Sequence, residues 1–251
     1  MIAAMSASAT LTAFTHRGRV RARNEDTIAI GDWVSPPDMD APRVVRHDLA
    51  TPILCAVCDG MGGHRGGAVA SRLAAQRLAQ LQARIVDART AAAALRDIDD
   101  ELYRRMAEDD TLLGMGTTAV GLMLAARAVW FNVGDSRLYR CRGARLQRIS
   151  VDDTPPGPRS GVITQSLGGA LRQPGIVPHA GAEPLDGAAS YLLCSDGLTD
   201  MLDDAAIAEC LAPADAKAAM RLFERAMDAG GYDNISIVLA RLEPRADAAA
   251  A

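Results

Sequence analysis

The sequence predicts an α+β chain whose sheets are covered by amphipathic helices, on three observations. Short apolar runs at 53–58, 128–133, 191–194 and 235–239 have the length of strands and lack helical spacing. Two longer stretches carry apolar residues near helical spacing and keep a polar opposite face. The first uses Val69, Leu73, Leu78, Leu81 and Ile85, the second Leu95, Ile98, Leu102 and Met106. From Gly114 the texture turns to β structure, with strands at 117–124 and 128–133 and a tight hairpin in which 138–141 and 146–149 flank Arg142-Gly143-Ala144.

The remaining elements follow in order. Residues 11–15 read as a first strand, and 27–30 as a second extended segment. Residues 31–52 contain Pro36-Pro37 and few periodic apolar positions, and read as a loop or an irregular hairpin. Residues 152–161 are rich in Pro, Gly, Asp and Ser and read as an exposed loop; 163–169 fit a single helical turn. Helices are expected at about 203–211 and 214–229, the second closed by Gly230-Gly231. The Ala-rich tail from Glu243 should be frayed.

Composition narrows the function. The 251 residues are 49% hydrophobic and 23% charged, ordinary for a globular protein with a substantial core. A formal charge of −4 gives no general attraction to nucleic acid or anionic membrane, so any phosphate must be met locally. No apolar run approaches the ~20 residues of a membrane helix, and residues 1–12 lack the basic start of a signal peptide. The five cysteines lie in apolar contexts. Cys55 and Cys58 have CxxC spacing but fall within a strand with side chains on opposite faces, which argues for core packing in a reducing cytoplasm.

Chemistry concentrates where strands end. The run 53–58 delivers Asp59 into Gly60-Met61-Gly62-Gly63-His64. An acid beside bare glycine backbone suits a hard cation such as Mg2+ or Mn2+. Taken alone, this stretch reads equally well as an ordinary strand-to-helix turn capped by Asp. Four further acids repeat the arrangement: Glu25, Asp135, Asp196 and Asp233 each sit beside Gly or Asn at a strand junction. If the strands pack as sheets, these tips can converge, and converging carboxylates take up protons unless cations neutralise them. Two divalent ions about 3.5–4 Å apart are a common phosphatase arrangement. Asp59 is the natural bridge between them, because Gly60 can add a carbonyl oxygen. Arg21 and Arg23 stand next to Glu25 and Asp26, a mixture that serves an anion and a cation together, and Arg21 could grip phosphate in bidentate fashion.

Six stretches occur in one order across residues 11–242: 21–26, 59–71, Gly114-Met115-Gly116-Thr117-Thr118, 134–137, 195–200 and Asp233-Asn234. Together they resemble the PPM (PP2C-type) metal-dependent Ser/Thr protein phosphatases in their bacterial form. The resemblance implies an αββα four-layer fold, a central sandwich of two antiparallel sheets flanked by helix pairs. Residues 1–242 would form one phosphatase domain and 243–251 a flexible tail. It implies that Asp59 bridges two Mn2+ or Mg2+ ions, that Asp196 and Asp233 hold the first, and that Glu25 and the Gly60 carbonyl hold the second. Asp26 would orient a water, Arg21 would bind phosphate, and Asp135 with Asp196 would hold a weaker third metal. The reaction implied is hydrolysis of phosphoserine and phosphothreonine on proteins by direct attack of a metal-activated water. The implied setting is a monomer in the cytoplasm opposing a Ser/Thr kinase, with a possible link to type VI secretion control.

Two departures stand out. Met61 occupies the position where eukaryotic members carry a proposed general-acid His, while His64 matches the bacterial histidine, as general acid or as a water-orienting residue. His16, His47 and His179 match nothing and read as surface or structural. Bacterial relatives also insert a mobile flap before the Leu-Gly turn, whereas here only 155–165 separates Asp152-Asp153-Thr154 from Leu167-Gly168. A short, proline-stiffened flap predicts an open groove and a weakened third-metal site. Two other readings compete: a catalytically inactive phosphoprotein-binding module, and a phosphatase of small phosphoesters.

Overall fold

The computed structural model describes residues 7–61, 66–143, 145–157, 161–185, 189–212 and 215–244. Two six-stranded antiparallel sheets dominate it. The first runs, edge to edge, through Arg145–Arg148, Arg137–Arg142, Ser190–Cys194, Ile235–Pro244, Ala7–His16 and Arg43–Asp48. The second runs through His179–Pro184, Arg127–Val133, Ala119–Leu124, Ile53–Cys58, Thr27–Ile30 and Trp33–Val34. A small third sheet joins Leu167–Gly168, Gly116–Thr117 and Gly60–Met61.

Strand alternation sorts the core into layers. Ile53, Cys55 and Val57 face the first sheet and pack with Leu11, Ile28, Leu122, Tyr191 and Val238 between the sheets. Leu54, Ala56 and Cys58 point the other way, under the helices Gly66–Leu81 and Ala88–Glu108. The outer face of the first sheet is covered by Asp204–Leu211 and Ala218–Asp228 through Tyr139, Leu192, Ile207, Leu222 and Ile237. The result is the expected α+β, four-layer αββα sandwich. All five cysteines are buried free thiols, with Cys55 and Cys58 on opposite faces.

The helices differ in how they are made. Ala88–Glu108 buries Leu95, Ile98, Leu102 and Met106 and starts at a capping box between Asp87 and Thr90. In Gly66–Leu81 the buried stripe is Ala70, Ala74, Ala75, Leu78 and Ala79, whereas Val69 is exposed and Ile85 lies beyond the helix. Small residues let this helix approach the sheet, with Leu78 and Leu81 buried among them and Leu73 packed against the same core. Ala218–Asp228 ends as the glycines predict: Gly231 N–H donates to the Ala226 carbonyl and Gly230 N–H to that of Met227.

Three readings are corrected and one strand is added. Residues 31–52 are neither a plain loop nor a hairpin, because Trp33–Val34 and Arg43–Asp48 are edge strands of different sheets. Arg43–Asp48 is largely exposed, and so carries little apolar pattern. Residues 163–169 form no helical turn, because Gly168 and Gly169 have φ of +66° and +82°, outside the helical region, and Leu167–Gly168 pairs with Gly116–Thr117. His179–Pro184 adds an edge strand that no apolar run announced. The last strand continues from Ile235 to Pro244, pairing Glu243 with Ser8.

Candidate active site

The topology carries acids from both sheets to one end of the sandwich. Glu25 and Asp26 precede Thr27–Ile30, and Asp59 follows Ile53–Cys58, all in the second sheet. Asp135 lies in the turn between Arg127–Val133 and Arg137–Arg142, where the chain passes from the second sheet to the first. Asp196 follows Ser190–Cys194 and Asp233 precedes Ile235–Pro244, in the first. There they surround a cleft of about 630 Å³, lined by Arg21, Glu25, Asp59, Gly60, Asp135, Asp196 and Asp233 among others. Seven of the expected site residues thus meet in one cavity. Asp26 lies buried beside them, and His64 falls outside the described residues.

Hydroxyls and backbone hold the acids in place. The Asp59 carbonyl accepts from Thr117 Oγ1 at 2.8 Å and from Thr118 N–H at 2.8 Å. The Glu25 carbonyl accepts from Ser71 Oγ at 2.5 Å. Close packing of bare backbone makes the room. A Cβ on Gly60 would collide with the Glu25 and Gly67 carbonyls, and one on Gly67 would stand 2.5 Å from Glu25 Oε2. Asp26 accepts from Ser195 Oγ at 2.8 Å, while its Oδ1 is buried without a partner.

The electrostatics are those of crowded like charges. Burial, then the neighbouring Asp26 and Asp196, push the Asp59 carboxyl well above its ordinary range. Asp196 is raised to about 7, by burial and then by Asp135 and Asp200. Burial raises Asp26 to about 6 and also lifts Glu25. Asp59 and Asp196 lie close enough for each to shift the proton affinity of the other. Arg21 Nη2 donates to Asp233 Oδ2 at 2.5 Å, and this pairing raises the guanidinium pKa. Among the described residues no three His, Cys, Asp or Glu side chains stand in a closed metal cage. The donor set nevertheless fits hard divalent ions: the side-chain donors are all carboxylate oxygens, burial and then like-charged neighbours raise the proton affinity of Asp59 and Asp196, and Gly67 leaves space around Glu25.

Asn234 and Asp200 also line the cleft, and sequence reasoning assigned them no role. The Asn234 amide donates to the Arg17 and Arg23 carbonyls at 3.1 and 2.9 Å, and its Oδ1 accepts from Glu25 N–H at 2.8 Å, tying the arginine loop to the last strand. Its signal was adjacency to Asp233. Asp200 lies four residues after Asp196, one helical turn on, a spacing that would have revealed it. Three histidines are structural, as expected: His16 Nδ1 accepts from Gly18 N–H, His47 contacts Thr51, and His179 Nε2 lies 2.8 Å from Asp153 Oδ1.

A family model described as protein phosphatase 2C matches residues 37–234. The chain belongs to the protein phosphatase 2C family. It is 33% identical over 245 residues to the serine/threonine protein phosphatase PstP of Mycobacterium tuberculosis, covering 89% of this chain and 43% of PstP. The chain therefore spans less than half the length of that curated relative. The catalytic domain of PstP, solved in complex with two manganese ions, superposes with a TM-score of 0.77 at 31% identity, covering 94% of this chain and 99% of that one. PppA, described as a key regulatory component of T6SS in Pseudomonas aeruginosa, gives 0.76 at 26% identity, with 94% and 99% covered.

Proposed function

We propose that this protein phosphatase 2C member hydrolyses phosphoserine and phosphothreonine on proteins, using two divalent cations. One observation carries the reading: acids from both sheets and Arg21 meet in a single cleft, at carboxylates whose raised pKa values call for cations. Asp59 would contact both ions, Asp196 and Asp233 the first, and Glu25 with the Gly60 carbonyl the second. Bound there, divalent ions acidify a water and screen the charge of a phosphate. The chain's own residues do the rest. Arg21 is more than half exposed and spends one Nη on Asp233, leaving N–H groups that can grip phosphate oxygens. Asp26, fixed by Ser195, keeps one buried oxygen without a hydrogen-bond partner among the described residues and can hold a water or a proton. Asp135 beside Asp196 would hold a third, weaker ion, and the short segment 155–165, whose Gly161 and Ile163 reach the cleft, would leave the groove open. His64 is assigned to the leaving group or to a water.

The biological setting follows as part of the same proposal: a cytoplasmic monomer opposing a Ser/Thr kinase. The similarity to PppA supports a type VI secretion role. The test is hydrolysis of phosphothreonine peptides across a Mn2+ titration, beside Asp59→Asn and Asp233→Asn. Saturable Mn2+-dependent release of phosphate, lost in both variants, is expected. Equal or faster turnover of small phosphoesters than of peptides would point instead to metabolite hydrolysis, and binding without turnover to a regulatory module.

A further inference from the structure

The loop that delivers Arg21 to the cleft is pinned at every second residue. The Arg17 and Arg23 carbonyls accept from the Asn234 amide at 3.1 and 2.9 Å. Arg19 N–H donates to the Gly231 carbonyl at 2.8 Å, and Arg21 Nη2 donates to Asp233 Oδ2 at 2.5 Å. The packing between the two segments is close. Gly18 has a φ of +77°, and a Cβ there would collide with the Gly231 and Asp233 carbonyls. A Cβ on Gly230 would stand 2.6 Å from the Tyr232 ring, so that ring lies against bare backbone. Two side chains held in this frame nevertheless face solvent: Val20 is 64% exposed and Tyr232 61%. The Arg19–Gly231 and Arg21–Asp233 contacts bracket them, one on each side, so Val20 and Tyr232 form a fixed apolar step.

Single exposed apolar residues are normal on a protein surface and need no function. This pair differs by its place. Arg21 and Asp233, the residues that follow Val20 and Tyr232, both line the cleft, so the step is part of its rim. Tyrosine is also over-represented where proteins make contacts. We infer that the step binds an apolar side chain flanking the phosphoresidue of a protein substrate, and so selects phosphorylated segments with a hydrophobic neighbour. A phosphate gripped by Arg21 brings the segment that carries it past the step. One residue of backbone, about 3.8 Å, separates Val20 from Arg21 and Tyr232 from Asp233. An extended segment advances about 3.3 Å per residue, so the side chains that meet the step belong to roughly the first two positions on one side of the phosphoresidue. The step is held before substrate arrives, so binding there costs the protein little ordering. A small phosphoester, with no flanking side chain, gains nothing from it.

This inference rests on the proposed phosphatase reading, and its test separates the two. Phosphothreonine peptides with alanine flanks are compared with peptides carrying Phe, or Glu, at either of the two nearest positions on each side. For the wild-type chain with Mn2+, Phe on one side should lower KM about tenfold with kcat unchanged, as partial burial of an aromatic ring would give, and Glu at the same position should not. Val20→Ser and Tyr232→Ser should each reduce that gain, the double variant should abolish it, and Tyr232→Phe should keep it. All four should turn over the alanine-flanked peptide like wild type. Anisotropy of labelled peptides whose phosphate is replaced by a hydrolysis-resistant difluorophosphonate reads binding without turnover. The Phe-flanked peptide should bind wild type about tenfold tighter than the alanine-flanked one, and the double variant should bind both alike. Equal KM and equal anisotropy affinity for Phe- and alanine-flanked peptides, or a gain that survives in the double variant, would overturn the rim site. Absent turnover of every peptide, with the anisotropy difference present in wild type and lost in the double variant, would overturn only the phosphatase reading.

Discussion

The carboxylates at the floor of the cleft are in conflict with one another. Asp196 titrates near 7 in the folded chain against an ordinary 3.8, and Asp26 near 6. A carboxyl whose folded pKa lies above its unfolded one contributes stability that is complete below about pH 4 and is lost as pH rises through the folded value. Removing that charge should therefore stabilise the metal-free protein at neutral pH. In chelator at pH 7.5, Asp196→Asn should melt several degrees above wild type, with the difference closing towards pH 4, while losing metal-dependent hydrolysis. Calorimetry beside a phosphopeptide assay reads both, and a variant that melts below wild type at pH 7.5 would contradict the electrostatic account. Gly67 gives a steric counterpart. Alanine in a helix is ordinarily favoured over glycine by up to ~1 kcal/mol, but here its Cβ would stand 2.5 Å from Glu25 Oε2. Gly67→Ala should weaken Mn2+ activation at least tenfold despite the better helix former; unchanged Mn2+ dependence would show that Glu25 does not need the space.

At the scale of elements, legibility followed the size and burial of side chains. Ala88–Glu108 was readable because Leu95, Ile98, Leu102 and Met106 are large, buried and periodic. Gly66–Leu81 was readable as a helix and largely in its face, since Leu73, Leu78 and Leu81 pack on the core, but Val69 looks outward and the alanine stripe gave no signal. Edge strands such as Arg43–Asp48 and His179–Pro184 are held by backbone pairing with one neighbour, for which side-chain pattern is a weak signal. The acids that line the cleft were legible because each sits beside Gly or Asn at a strand end. Asn234 was harder to see, since its value lies in tying the arginine loop to the last strand. The alanine stripe is testable. Ala74→Leu adds bulk between helix and sheet and should cost about 1–3 kcal/mol by overpacking, lowering Tm by roughly 2–4 °C per kcal/mol at this chain length. A neutral result in thermal melts would mean that the helix can lift without penalty.

Across the whole molecule, the sandwich works as a frame that holds the ends of two sheets against each other. Asp59 and Asp233 are 174 residues apart in sequence yet line one cleft, because Ile53–Cys58 is central in one sheet and Ile235–Pro244 in the other. Cations bound across that seam would tie the sheets together, so Mn2+ should raise the melting temperature. A free concentration one hundred times Kd adds about 2.7 kcal/mol, and the gain should be absent in Asp59→Asn. The account stands on the acids of the two sheets forming one dinuclear centre. Titration calorimetry of the chelator-stripped protein with Mn2+ tests this most directly. Two tightly bound ions per chain are expected, with phosphothreonine hydrolysis appearing as the second is filled and neither bound tightly in Asp59→Asn. A stoichiometry of one or none, or full turnover in chelator, would contradict it.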